Sequence, residues 1–128
     1  MKIASQDNAD IIKITRITSL SLDAGDTLVT QPFFVGANHS VNSWVQSTDK
    51  VTLHAIKKLP LEQYELLLIG TGDQYTRLDN ESMSFLSNTI PFEIMTTISA
   101  CRTFNIVAGE GRKVLLAALV GCDSKSEA

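Results

Sequence analysis

The residue run Glu65-Leu-Leu-Leu-Ile-Gly-Thr-Gly72 constrains the fold more than any other part of the chain. Four consecutive apolar residues, bounded by a glutamate and by glycines, are typical of a strand that is buried on both faces. Such strands belong to parallel or mixed sheets, and the glycines that follow indicate a tight loop at the strand's carboxyl end. The run therefore predicts an α/β domain built around a buried sheet.

The carboxy-terminal half of the chain alternates strand and helix patterns. Its predicted elements, in order, are a strand at 65–69, a helix at 79–88, a strand at 91–96, a helix from Ser99 and a strand at 112–120. This βαβ order predicts right-handed crossovers, with the first two of these strands as parallel neighbours. The pattern leaves the direction of the last strand open.

The amino-terminal half has the pattern of antiparallel hairpins. Short strand-like segments between Ile12 and Val35 are separated by polar pairs and by the turn signal Asp23-Ala-Gly-Asp26. A short helix then follows from Thr52, which is a good N-cap, to a proline stop. We expect one domain over residues 11–121, between a flexible N-terminus at 1–10 and a flexible C-terminal tail at 122–128.

Charge and hydropathy narrow the classes of function. The chain has a formal net charge of -3 and 11 basic residues, whereas a nucleic-acid surface normally needs clustered Lys and Arg. No apolar run approaches the roughly 18 residues of a membrane span, and the first residues lack the features of a leader peptide. We therefore expect a cytoplasmic protein with no nucleic-acid binding and no integral membrane association.

The metal-binding residue types do not form a pattern. Cys101 and Cys122 are too few and too far apart for a disulfide framework or a zinc site. His39 and His54 lack the spacing of metal ligands. We expect no metal and no cofactor.

The best candidate site lies at the carboxyl edge of the predicted sheet. Parallel neighbours at 65–69 and 91–96 would bring the loop Gly70-Thr71-Gly72 beside the helix start at Ser99–Asn105. Helix starts offer unpaired N–H groups, which makes this edge the default pocket. The loop contains no phosphate-binding motif, however, so a plain tight turn is the simpler interpretation of its glycines.

A helical wheel over residues 99–109 separates a packed face from an outward face. The apolar arc, which should face the sheet, consists of Thr103, Val107, Ala100, Phe104, Ala108 and Cys101. Arg102 and Asn105 lie together on the other side of the helix. An arginine in the first turn of a helix is electrostatically disfavoured unless an anion or a partner holds it, so it is a functional clue.

Each of these side chains has a functional and a structural interpretation. Cys101 is either a nucleophile or a small packed residue, and packing is the simpler reading because no histidine lies near it in sequence. Arg102 either binds an anion or a partner carboxylate, or ties the edge together through Glu110 or Asp73. Asn105 either orients a ligand or is a local tether or a solvated residue. No catalytic set emerges.

Four motifs, in order, resemble those of a known family. They are LLLIGTG, FEIMTT, ACRTFN and EGRKV. The family is the small domain-of-unknown-function family typified by an archaeal structural-genomics protein, and it contains the mitochondrial respiratory complex I assembly factor 3 and an adipogenesis-associated human protein. The resemblance implies a three-layer single α/β domain with a central mixed β-sheet, flanking helices and an extra N-terminal β-hairpin region.

The resemblance also carries expectations about the site and the function. The family's motif positions correspond to Gly70, Thr71, Gly72, Met95, Ala100, Cys101, Arg102, Thr103, Asn105, Glu110 and Arg112. No enzymatic activity or cofactor is carried over by it. We predict a non-enzymatic accessory or interaction protein with unidentified protein partners, by resemblance in the assembly of a respiratory or membrane complex, and a homo-oligomer is compatible with this role.

The alternative is a small-ligand or anion-binding protein, or an enzyme. Its pocket would be formed by the Gly70-Thr71-Gly72 loop and the helix start at Ser99–Asn105. A cation and several free amides predicted at one edge motivate this alternative.

Overall fold

The secondary structure follows the predicted order of hairpins and βαβ units. The computed structural model describes residues 12–18, 20–36, 39–44 and 51–121, so the termini expected to be flexible, 1–10 and 122–128, lie outside the described residues. The elements are β1 Ile14–Thr15, β2 Leu22–Ala24, β3 Thr27–Val29, β4 Phe33–Gly36, β5 His39–Ser43, α1 Leu53–Lys57, β6 Leu66–Gly70, α2 Asn80–Ser87, β7 Phe92–Met95, α3 Thr97–Gly109 and β8 Val114–Ala118. A single 3-10 turn at Leu61–Gln63 precedes β6.

The larger sheet is mixed, with the strand order β5-β4-β8-β6-β7. The predicted parallel pairing of β6 with β7 is confirmed, and Ile69 lies opposite Ile94 in that pair. The strand β8, whose direction the pattern left open, is parallel to β6 and antiparallel to β4. All five of its residues are buried, and β8, the last of the described strands, lies at the centre of the sheet.

The sheet separates two apolar cores, because alternate side chains of a strand point to opposite faces. Leu68 and Leu116 point towards α3 and a small antiparallel sheet with the order β1-β2-β3. Leu67 and Leu115 point towards the side that holds α1 and α2. The three-layer architecture and the extra N-terminal hairpins are therefore confirmed.

Side-chain oxygens define where the three helices of the described residues begin. Thr52, Asp79 and Thr96 each accept a hydrogen bond from the N–H group three residues further along the chain. Capping by Thr96 makes Thr97 the first residue of α3, so the helix start predicted at Ser99 is wrong by two residues. Arg102 is consequently the sixth residue of α3 and lies beyond the first turn, which removes the electrostatic argument attached to its position.

Gly70 allows α3 to approach the end of β6. A Cβ atom at this position would lie 2.8 Å from Thr97 Oγ1 and 2.9 Å from Thr97 Cα, distances that real Cβ atoms essentially never adopt. The glycine is needed for close packing of a helix start against a strand end, and its φ angle is not in the left-handed region.

We expect Gly70→Ala to destabilise the protein by about 1 to 3 kcal/mol, because the added methyl group forces the start of α3 away from the sheet. The measurement is urea unfolding followed by circular dichroism. Gly109→Ala is the matched control: nothing lies within 4 Å of its Cβ position, and it should be stabilising by about 0.5 to 1 kcal/mol. Equal stability of the two variants would contradict the packing role of Gly70.

Candidate functional site

The carboxyl ends of β6 and β7 form the place where an open α/β sheet usually binds a ligand. The chain leaves β6 towards α2 on one face of the sheet, and it leaves β7 towards α3 on the other. A crevice forms outside the strand ends where two neighbouring connections diverge in this way. The loop Gly70-Thr71-Gly72 therefore lies at the predicted edge, next to the start of α3.

Thr97 occupies this crevice and makes hydrogen bonds to the segments on either side of it. Gly72 N donates to Thr97 Oγ1 at 2.9 Å, and that hydroxyl donates to Leu119 O at 2.7 Å. Thr97 N also donates to Gly72 O at 2.9 Å. The Thr97 side chain thus joins the segments that follow β6 and β8 to the helix, and only 4% of its surface is exposed.

Thr71 organises the rest of the loop. Its N–H donates to Met95 O at 2.9 Å, while its hydroxyl donates to Gln74 O at 2.7 Å and accepts from Thr76 N at 3.1 Å.

Among the first four N–H groups of α3, three have partners within the protein: those of Thr97, Ser99 and Ala100. The edge therefore does not present the row of free amides that a phosphate cradle needs.

A cavity of about 250 Å³ opens beside this edge, on the side of α2. Its lining residues are Val51, Thr71, Thr76, Arg77, Leu78, Asp79 and Leu119. Of the predicted site residues, only Thr71 reaches it. Arg77 and Asp79 were not singled out from the sequence, although both stand in the loop after β6, where carboxyl-edge ligands are commonly bound.

Asn105 attaches the small sheet to α3. Its Oδ1 accepts from Ile14 N at 2.8 Å, and its Nδ2 donates to Ile14 O at 2.9 Å. The amide thus satisfies the side of β1 that faces away from β2, as a neighbouring strand would. The sequence suggested a local tether or a solvated residue, but the partner lies 91 positions away in the chain.

Cys101 points inward from α3 into the core that holds Ile14 and Phe104, and none of its surface is exposed. Burial raises the pKa of its thiol from 9.0 to about 12. A neutral thiol without solvent access is a poor nucleophile near neutral pH. The geometry supports packing as its role.

Arg102 and Ile106 form the exposed outward face of α3. Arg102 is exposed, and within the described ranges it makes no ion pair, so neither Glu110 nor Asp73 holds its guanidinium. Ile106, one helical turn further on, is 62% exposed. Of the outward pair predicted from the wheel, Arg102 faces solvent while Asn105 is occupied by β1. Their role in binding stays a prediction.

Two carboxylates that could have taken part in chemistry have structural partners. Asp79 Oδ1 accepts from Ser82 N at 2.8 Å, and Glu65 Oε2 accepts from Lys113 N at 2.9 Å. Across the described ranges, no group of three His, Cys, Asp or Glu side chains is placed to hold a metal ion. In the same part of the chain, the helices are too short or too polar to cross a bilayer.

We expect Asn105→Ala to destabilise the protein by about 1 to 3 kcal/mol, because it removes two hydrogen bonds that join β1 to α3. Asn105→Asp keeps the acceptor for Ile14 N but turns a carboxylate towards Ile14 O, so it should also be destabilising. Urea unfolding gives the free energy, and hydrogen exchange at the Ile14 amide should accelerate.

The matched control is Asn88→Ala, which removes one exposed bond to Ser84 O within a single helix end. It should change the free energy of unfolding by less than about 1 kcal/mol. Unchanged exchange at Ile14 in both Asn105 variants would contradict the tether.

We expect stability to fall at high pH through Cys101. Below pH 9 the thiol is protonated in both the folded and the unfolded protein. Above pH 9 the unfolded chain releases this proton, whereas the folded protein, in which the pKa of Cys101 is about 12, retains it. Wild type should therefore lose about 1 kcal/mol relative to Cys101→Ala between pH 9 and pH 10. Unfolding titrations of the two proteins at several pH values measure this difference.

Iodoacetamide labelling provides an independent check on Cys101. In a Cys122→Ser background at pH 7.5, modification of Cys101 should require denaturant. Rapid labelling of the folded protein would contradict the buried, neutral thiol.

Comparisons with known proteins give relatives for both the sequence and the fold. The chain is 39% identical over 57 residues to NADH dehydrogenase (ubiquinone) 1 alpha subcomplex assembly factor 3 of Xenopus tropicalis, covering 44% of this chain and 31% of that protein. The Homo sapiens protein of the same name is 29% identical over 122 residues, covering 80% of this chain and 66% of the human protein. The chain thus spans less than two thirds of either relative.

A solved structure extends the likeness to the whole fold. The crystal structure of a Bordetella parapertussis protein is 27% identical and matches with a TM-score of 0.75, covering 86% of this chain and 96% of that one. The family described as "Protein of unknown function (DUF498/DUF598)" matches residues 14–119, from the start of β1 to the residue after β8. Because this match spans every strand and helix of the described residues, the chain belongs to the DUF498/DUF598 family.

Proposed function

We propose that this protein is a non-enzymatic accessory protein that binds another protein through the outward face of α3, in the assembly of a respiratory complex. The two relatives named as assembly factors support the accessory role, since such proteins act by contacting other proteins. A cytoplasmic location, the lack of nucleic-acid binding and the compatibility with a homo-oligomer are finer parts of the same proposal.

The observation that carries the proposal is the exposed pair Arg102 and Ile106. Two of the neighbouring motif positions serve the fold: Gly72 closes the sheet edge together with Thr97, and Asn105 holds β1. Arg102 has no carboxylate partner in the described part of the chain. A cation left without an internal role, beside an isoleucine that is 62% exposed, is the combination that interfaces use as an anchor.

The geometry of α3 sets the chemistry of the partner. Ile98, Arg102 and Ile106 follow one another at intervals of four residues, so they form one stripe along the helix. Ile98 is half-buried, whereas the other two are exposed. A partner surface that fits this stripe places a carboxylate against the guanidinium and apolar side chains on either side of it.

A second candidate function rests on the cavity beside Thr71 and Arg77. The cavity has about 250 Å³, the volume of a small ligand, and Arg77 supplies a cation at its rim. It differs from the pocket expected from the sequence, since Arg102 and Asn105 do not line it. The candidate ligand is a small anion.

We expect a photo-crosslinker placed at Ile106 to capture a defined partner in the native organism, with a subunit or assembly protein of a respiratory complex among the products. Arg102→Glu should reduce this crosslink at least tenfold, because charge reversal places like charges together at the interface. Mass spectrometry of the crosslinked peptides identifies the partner. An unchanged yield in Arg102→Glu, or products unrelated to respiratory complexes, would overturn the proposal.

Arg77→Ala is the matched control, because it removes another exposed arginine and should leave the crosslink unchanged. Thermal unfolding with inorganic phosphate separates the two candidate functions. If the cavity binds anions, phosphate raises the Tm of wild type and of Arg102→Ala but not that of Arg77→Ala. If phosphate raises the Tm of none of the three proteins, phosphate is eliminated as the ligand of the cavity.

A further inference from the structure

The strand β7 lies at an open edge of the larger sheet. It pairs with β6 on one side, and within the described residues no strand pairs with its other side. An exposed edge of this kind offers main-chain hydrogen-bonding groups to another extended chain unless it is covered. The chain around this edge, 51–121, is described without a gap, so the observation covers all of that segment.

The hydrogen bonds between β6 and β7 show which main-chain groups of β7 face the open edge. Leu67 N donates to Pro91 O at 3.0 Å, and Thr71 N donates to Met95 O at 2.9 Å. Because parallel pairing alternates along a strand, the odd-numbered residues of β7 face β6. The N–H and C=O groups of Phe92 and Ile94 therefore point away from the sheet, towards solvent or a bound strand.

The side chains of β7 give the edge two different faces. Phe92 and Ile94 contact the core on the α2 side and are only half-buried. Glu93 lies between them on the opposite face and is exposed. Next to the beginning of the strand, an open depression is lined by Ser87, Asn88, Thr89, Ile90, Pro91 and Phe92.

These features specify the sequence pattern of a strand added to this edge. The residue opposite Glu93 would be Lys or Arg, because opposite charges on directly paired residues are stabilising. Its two neighbours would point to the α2 side, where apolar side chains would extend the core beside Phe92 and Ile94. The depression at the strand's beginning would receive a side chain from one end of the bound segment.

A second copy of this chain fits the edge poorly. Pairing of two β7 strands centred on Glu93 sets two carboxylates directly opposite each other, which is destabilising. A four-residue strand is also only about 13 Å long, and pairing through it alone falls well short of the roughly 800 Å² that each partner buries in a stable interface. Short extended segments, in contrast, bind sheet edges mainly through main-chain hydrogen bonds.

We propose that β7 is a strand-addition site for an extended segment of another protein, with a basic residue opposite Glu93 and apolar residues on either side of it. The inference goes beyond the proposed function, because it uses a different surface from the Arg102 face of α3. A partner that engages both surfaces would bind through a strand and a carboxylate at once. Binding at one of the two surfaces can be disproved without affecting the proposal for the other.

The experiment uses the full chain, labelled with ¹⁵N, and two peptides. They are acetyl-Thr-Val-Lys-Val-Thr-amide and the same peptide with Glu in place of Lys. We expect the Lys peptide to bind about threefold to tenfold more tightly, with the largest amide shifts and slowed hydrogen exchange at Phe92 and Ile94. In Glu93→Lys, the preference should reverse towards the Glu peptide.

Two controls separate strand addition from general attraction. Glu62→Lys makes the same charge change on an exposed residue before β6, and it should keep the preference for the Lys peptide. Methylation of alternate main-chain nitrogens of the peptide removes the N–H groups that would pair with β7, so it should abolish binding. Absence of shifts at millimolar peptide, shifts located elsewhere, or an unchanged preference in Glu93→Lys would overturn the inference. None of these measurements involves Arg102, so the proposed function is tested separately.

Discussion

The arrangement of the sheet edge depends on the two hydrogen bonds that the Thr97 hydroxyl group makes. The hydroxyl accepts from Gly72 and donates to Leu119, so one side chain joins the segments after β6 and β8 to the first residue of α3. Both bonds are buried, and loss of a buried partner costs about 1 to 3 kcal/mol. Gly70 is part of the same arrangement, because only a residue without Cβ lets Thr97 approach this closely.

This arrangement places the motif residues in two groups. Gly70, Gly72 and Cys101 act in packing or closure, and Asn105 supplies the missing edge partner of β1. The outward face of α3 carries the cation Arg102 beside the exposed Ile106. The side-chain hydrogen bonds of Thr97 and Asn105 therefore join segments that are distant in the chain.

The sequence predicted the fold class and most of the strands and helices correctly, because the residue patterns that indicate a strand or a helix are local. The apolar run of β6 and the helical wheel of α3 depend on neighbouring residues, and the βαβ order predicted the parallel pairing of β6 with β7. The sequence analysis misplaced one helix start and missed one cavity. The start of α3 was placed two residues late, because Thr97 and Ser99 are also good capping residues, and the cavity beside Arg77 was not found, because Val51 and Leu119 reach it from distant parts of the chain.

The sequence by itself determined the order of strands and helices, since periodicity is a property of short segments, and the resemblance to the family implied the three layers. Only the tertiary structure decided that β8 lies in the centre, parallel to one neighbour and antiparallel to the other. It also decided that Asn105 binds β1 across 91 positions and that Arg102 is left without a carboxylate in the described part of the chain. The physical reason is the same for all three. Each depends on which distant segment comes near, and hydrophobic patterns, which act without direction, do not specify that choice.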